Sequence, residues 1–167
     1  MKTHQADTVW KYDQVLEAEI NGHRILMDGN APGEIPSEGP TPKPLLLAAL
    51  GGCTSLDVLS IIKKSHRALQ SFQVQASGNL SEGIPSVYTA LFLKYEANGD
   101  ADMEAAFLRA VQLSLEKYCG VAFMLQKIMP LSYSVIFNGR QLYESVPAEP
   151  EAWVSTKQPD IFTDLVP

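Results

Sequence analysis

Apolar and polar residues alternate over short stretches at the start of the chain. Val9-Trp10-Lys11-Tyr12 and Val15-Leu16-Glu17-Ala18-Glu19-Ile20 read as strands. Asn21-Gly22 is a two-residue hairpin signal, and His23-Arg24-Ile25-Leu26-Met27-Asp28 is the return strand. Residues 29–42 hold Pro32, Pro36, Pro40 and Pro42 among Gly29, Asn30, Gly33 and Gly39, a density no regular element survives. Thr41-Pro42 is a helix entry, and the pattern is helical over residues 44–67. Between Leu45 and Leu50 the helix is apolar on nearly every side, which predicts a place at the centre of the molecule. It ends in Lys63-Lys64-Ser65-His66-Arg67, cations where the helix dipole favours them. Gly51-Gly52 in its middle cost roughly 1 kcal/mol each relative to alanine, so close approach by another helix or a ligand is expected there.

Strands follow over residues 72–77 and 87–95, then a helix over 103–118 that breaks at Cys119-Gly120. A short helix over 121–128 stops before Pro130, and residues 131–138 alternate as a last strand. The order predicts an α+β fold: one domain over residues 1–140 and a Pro-rich, acidic tail over 141–167, either disordered or an arm on the surface or on a partner. A central helix so evenly apolar needs more cover than one small chain supplies, and a homodimer packing these helices together is the simplest remedy.

Composition narrows the function classes. The chain has 167 residues, 46% hydrophobic and 19% charged, which suits a globular protein of one or at most two domains. With 13 basic and 19 acidic residues the formal net charge is -6, so neither nucleic acid nor an anionic membrane surface is an expected partner. The longest apolar stretch, residues 45–62, contains Asp57, which would be costly in hydrocarbon, so a buried helix is expected rather than a membrane span. No secretory signal is legible at the start, and a cytoplasmic location is the expectation. Two cysteines are too few for a disulfide scaffold.

Those cysteines are the candidate chemistry. Cys53 follows Gly51-Gly52 inside the central helix, and Cys119 precedes Gly120 at a helix break. A reactive thiol must be a thiolate, which requires a nearby cation or a helix N-terminus. Cys119 could use the free N–H groups of the helix it precedes. Cys53 lies well past the first turn and would need an Arg or Lys from another element or another chain. Taken by themselves, two such cysteines are more plainly read as small apolar packing residues. A metal is not expected, because His4, His23 and His66 show no ligand spacing with either cysteine. No cofactor is implied either.

Residues 39–58, Gly-Pro-Thr-Pro-Lys-Pro-Leu-Leu-Leu-Ala-Ala-Leu-Gly-Gly-Cys-Thr-Ser-Leu-Asp-Val, resemble the first-cysteine segment of the OsmC/Ohr family. Leu113-Ser114-Leu115-Glu116-Lys117-Tyr118-Cys119 resembles its second, and residues 22–28 are similar to its opening hairpin. The resemblance runs from about Val9 to Asn138 and is nearest to the branch whose first motif ends Gly-Gly-Cys. It implies an intertwined homodimer, central helices wrapped by curved antiparallel sheets, with sites at the subunit interface. It also implies a peroxiredoxin-like, cysteine-based peroxidase acting on organic hydroperoxides in the oxidative stress response. Cys53 would be the peroxidatic residue, Cys119 the resolving one, and a dithiol reductant would reset the pair.

The chain departs from the family pattern at the groups that hold the thiolate, an Arg from the early strands and a Glu near the start of the central helix. Aligned on Cys53, that Glu falls on Lys43. Candidates to stabilise the thiolate are therefore Arg24, Lys43 and Glu38. Asp57, four residues after Cys53, shares its helical face; its charge would raise a thiol pKa, and a hydrogen-bonded structural role is the plainer reading. A non-catalytic dimer of the same fold, or a small-ligand binder with structural cysteines, is the alternative.

Overall fold

A computed structural model describes residues 3–30 and 37–145. The chain divides into two compact units, the first ending at Ala49 and the second beginning at Leu50. Residues 31–36 of the Pro-rich loop and 146–167 of the expected tail lie outside the described residues.

The first unit holds a three-stranded antiparallel sheet of β1 (Asp7–Tyr12), β2 (Val15–Ile20) and β3 (His23–Asp28), in that order. Asn21 and Gly22 both take positive φ, 53° and 80°, as the predicted two-residue turn requires. The turn sets β2 against β3 in continuous register from Ile20↔His23 to Val15↔Asp28. Asp28 ends the hairpin: its carboxylate accepts the backbone N–H groups of Asn30 at 2.9 Å and Glu38 at 3.2 Å. Its own N–H donates to the Pro40 carbonyl. The next residue back, Gly39, must be glycine, since a Cβ there would collide with the Leu26 carbonyl.

Helix α1 (Pro42–Lys64) starts in the first unit and runs most of its length in the second. Proline at its first position loses no hydrogen bond, because that N–H has no intrahelical partner. Lys63 and Lys64 lie in its last turn, and His66 at φ 57° closes it. The buried stripe is Leu50, Gly51, Thr54, Val58 and Ile62. The expectation of burial on nearly every side is not met within one chain: Leu56 is 71% and Leu59 44% exposed. The helix is long and apolar enough to cross a membrane by length and composition. Its polar residues, however, are hydrogen-bonded to the sheet and the second helix of its own unit, as a core helix's are.

The second unit's sheet comprises β4 (Ser71–Leu80), β5 (Tyr88–Asn98), β6 (Leu131–Phe137) and β7 (Arg140–Glu144), in that order. Three of these strands match the predicted ones; β4 runs longer at both ends and β5 at its C-terminal end, held by ladder bonds that periodicity does not register. The fourth is new. Asn138 and Gly139 form the turn, and β7 takes residues assigned to the tail into the sheet. Tyr143 of β7 stacks on Tyr133 of β6 with ring centroids 4.9 Å apart. The sheet is not wholly antiparallel: β5 and β6 run parallel, in register from Leu91↔Leu131 to Ala97↔Phe137. A parallel pair needs a crossover, and the helical segment between them is that crossover.

The sequence predicts this crossover as a helix over 103–118, a break at Cys119-Gly120 and a short helix over 121–128. It is a 3-10 turn (Ala101–Met103), α2 (Glu104–Leu113), one π turn (Ser114–Tyr118) and α3 (Gly120–Leu125). Phe107 of α2 makes ring contacts with Phe72 of β4 at 5.8 Å and Phe137 of β6 at 5.5 Å, which seats the helix on the sheet. Gly51 packs α1 toward β4, where a Cβ would meet Ala76 at 3.8 Å and Val74 at 4.0 Å.

Candidate active site

The π turn decides where Cys119 goes. The Cys119 N–H donates to the Ser114 carbonyl five residues back, at 2.8 Å, so the helix widens by one residue and ends. Cys119 then adopts extended backbone, φ -72° and ψ 100°, as the N-cap of α3. Its Sγ accepts the Ala122 N–H at 3.4 Å, as a capping oxygen would. This turns the sulfur inward, and Cys119 is 2% exposed.

Cys53, on α1, is half-buried. Its sulfur, the sulfur of Cys119 and a carboxylate oxygen of Asp57 all lie within 4.8 Å of one another. Residues 66 positions apart in sequence thus meet at one point. A polar chain in the core supports the cluster. The Tyr95 hydroxyl of β5 shares a 2.7 Å hydrogen bond with Thr54 Oγ1, and Thr54 Oγ1 shares a 2.8 Å bond with Ser114 Oγ. Ser114 Oγ donates to Asp57 Oδ2 at 3.1 Å. Each hydroxyl has a single proton, so Ser114's donation to the carboxylate orders the whole chain. Thr54 donates to Ser114, and Tyr95 donates to Thr54. Asp57 is therefore anchored by hydroxyls running back into the sheet. This is the structural role its sequence position suggested, with Ser114 as the partner the sequence did not name.

The electrostatics differ from the expectation for Cys119. The Ala122 N–H does favour its thiolate, but burial outweighs it, and the Cys53 thiol and the Asp57 carboxylate push the same way. The Cys119 thiol is pushed up to about 12. Burial likewise raises the Tyr95 hydroxyl. Among the described residues of the helical crossover, Arg109 reaches Glu116 at 3.7 Å and Lys117 lies over the Tyr118 ring.

Of the residues singled out from sequence, the structure brings Cys53 and Cys119 together. Arg24, Lys43 and Glu38 belong to the first unit. Arg24 is exposed on β3, opposite Glu19. Lys43 is exposed in the first turn of α1. The Glu38 carboxylate accepts a hydrogen bond from the Tyr12 hydroxyl. Sequence reasoning passed over Thr54, Ser114 and Tyr95. The available signal was polar Thr54 and Asp57 at i and i+3 within an otherwise apolar helix.

Residues 35–134, which contain both cysteines and Asp57, match the family model described as OsmC-like protein. The chain belongs to the OsmC-like family. It is 39% identical over 119 residues to Protein YhfA of Escherichia coli K12, covering 71% of this chain and 86% of that one. Its fold is similar to that of an OsmC-like protein from Mycoplasma pneumoniae, with a TM-score of 0.71 at 15% identity over 81% of this chain and 97% of that one. It is also similar to an organic hydroperoxide resistance protein OsmC from Legionella pneumophila, with a TM-score of 0.56 at 15% identity over 82% and 97% of the two chains. The α+β architecture read from the order of elements is that of these OsmC-like proteins.

Proposed function

We propose that this OsmC-like protein is a cytoplasmic, thiol-dependent peroxidase that reduces organic hydroperoxides in an oxidative stress response. The observation that carries the reading is the pairing of a part-exposed sulfur, Cys53, with a buried one, Cys119, in a single cluster. The outer sulfur is the one a hydroperoxide can reach. The thiolate of Cys53 attacks the terminal oxygen of ROOH, the O–O bond breaks, and the alkoxide leaves as ROH after taking a proton. Cys53 is then a sulfenic acid. The Cys119 sulfur displaces its hydroxyl as water, and the two sulfurs close to disulfide length, about 2.05 Å. A dithiol of unspecified identity reduces that bond by exchange. Arg24, Lys43 and Glu38 remain the candidates to stabilise the Cys53 thiolate.

A homodimer fits the same reading. Leu56 and Leu59 leave an apolar stripe of α1 exposed among the described residues, and Gly52 beside it has none of them within 4 Å of where a Cβ would stand. A second copy of α1 would cover that stripe.

The test is thiol consumption by dilute cumene hydroperoxide. In the native chain both thiols should disappear together with formation of one disulfide. Cys53→Ser should abolish the reaction, and Cys119→Ser should leave a sulfenic acid that a dimedone probe traps. Equal, slow reaction of both thiols before and after denaturation would refute the peroxidase. One observation favours a second reading, a non-catalytic or ligand-binding member of the fold. The charged group in the cluster is the Asp57 carboxylate, which adds to burial in disfavouring ionisation of Cys119.

A further inference from the structure

The same cluster has the composition of a metal site. We propose that Cys53, Cys119 and Asp57 form a binding site for a borderline-soft divalent cation of the zinc type. The proposal goes beyond the peroxidase reading and does not depend on it. No histidine has ligand spacing with either cysteine, so the linear pattern does not mark this site. The third ligand is instead a carboxylate one helical turn from Cys53.

Three arguments carry it. The first is distance. Zinc binds thiolate sulfur at about 2.3 Å and carboxylate oxygen at about 2.0–2.2 Å in tetrahedral geometry, which places neighbouring ligand atoms about 3.5–3.8 Å apart. The three donor atoms here already lie within 4.8 Å of one another. Side-chain rotation covers the difference. The second is the surrounding shell. A ligating carboxylate is normally fixed by a hydrogen bond to its other oxygen. Asp57 Oδ2 takes the Ser114 hydroxyl, at the end of the ordered Tyr95–Thr54–Ser114 chain, so the carboxylate that lies beside the two sulfurs is oriented from the core. Cys119 Sγ accepts the Ala122 N–H at 3.4 Å, which restrains its direction. The third is donor chemistry. Two sulfurs and one oxygen exclude magnesium and calcium, which take oxygen ligands, and suit zinc or cobalt. Three protein ligands leave the fourth position open on the part-exposed Cys53 side.

The experiment uses the full-length, fully reduced chain without peroxide. Zinc is titrated against a chromophoric chelator, and cobalt is added separately to look for thiolate-to-cobalt charge-transfer absorption. One zinc ion per chain is expected, with both thiols shielded from iodoacetamide in its presence. Cys53→Ser and Cys119→Ser should each weaken binding at least ~100-fold and remove the charge-transfer band. Asp57→Asn should weaken it at least ~10-fold, and Ser114→Ala by roughly 10-fold while keeping the band. Failure to bind zinc stoichiometrically at micromolar concentration overturns the proposal. So does binding that Cys53→Ser leaves intact, which would place the ion at surface groups. Iodoacetamide shielding is read on the unmodified chain, so a variant that fails to fold does not obscure the result. Zinc binding without peroxide consumption would sink only the peroxidase, and peroxide consumption without zinc binding would sink only this site.

Discussion

Thr54→Val is the sharpest test of the core beneath the cysteines. Thr54 is fully buried, and its hydroxyl is hydrogen-bonded to both Tyr95 and Ser114. Valine has nearly the same shape, so no cavity opens and the change isolates the hydroxyl. Ser114 keeps Asp57 as an acceptor, with a weaker contact to the Thr54 carbonyl at 3.4 Å. The Tyr95 hydroxyl loses the one partner recorded for it among the described residues, in a residue that is 0% exposed. A buried polar group left without a partner costs about 1–3 kcal/mol, and a net hydrogen bond is worth about 1 kcal/mol. The expected loss is therefore about 2–3 kcal/mol in urea unfolding at neutral pH. Tyr95→Phe in the Thr54→Val background removes the stranded hydroxyl and should recover about 1 kcal/mol or more. If Thr54→Val costs less than about 0.5 kcal/mol, or if the two substitutions simply add, the ordered chain from Tyr95 to Asp57 is not an energetic unit. The cysteine cluster would then be held by backbone alone.

Other outcomes follow from the same structure. Phe107→Ala empties a fully buried position between Phe72 and Phe137 and should cost about 3–5 kcal/mol by chemical denaturation. Gly51→Ala places a methyl in ordinary contact with Ala76 and Val74, and should stabilise the fold by up to about 1 kcal/mol in the same assay. Gly52→Ala, whose methyl meets nothing within 4 Å among the described residues of its own chain, should weaken self-association in sedimentation analysis if a second α1 packs there. The backbone N–H groups of Asn30 and then Glu38 hold the Asp28 carboxyl below its usual range. A pKa lower in the folded state than in the unfolded one contributes stability above the unfolded value of about 3.9, lost as pH falls through the folded value. The stability gap between the natural chain and Asp28→Asn should therefore be constant near neutrality and close below about pH 4.

The thiol environment frames what the protein can do. Two sulfurs close enough to join are a prerequisite for a peroxidase with a resolving cysteine, and that prerequisite is met. The polarity of the cluster is the harder part. An anion beside two thiols needs a compensating positive charge before either sulfur is readily ionised. A guanidinium or ammonium group supplies it in the peroxidase reading, and a divalent cation supplies it in the metal-site reading. The two readings place different occupants at one set of donors, which is why their experiments are kept separate.

Much of this was written in the linear pattern. Alternation marked the three strands of the first sheet, Asn21-Gly22 set the register of β2 against β3, and the apolar run with cationic end marked α1. These are local properties, decided by residues within a turn or a strand of each other, and one sequence carries them fully. Both cysteines could be picked out as candidates for the same reason, since each sits beside glycine, Cys53 within a helix and Cys119 at the break that ends one. The π turn could not, because one extra residue in a helix is set by how α2 seats Phe107 on the sheet and where Cys119 must then end it. Nor could β7, which depends on β6 offering an edge and Tyr133 offering a ring. Above all, the meeting of Cys53, Asp57 and Cys119, and the hydroxyl chain that orders Asp57, join α1, β5 and the helical crossover. Such contacts exist only once the layers have packed, because periodicity assigns a residue to a face but does not say which face lies opposite.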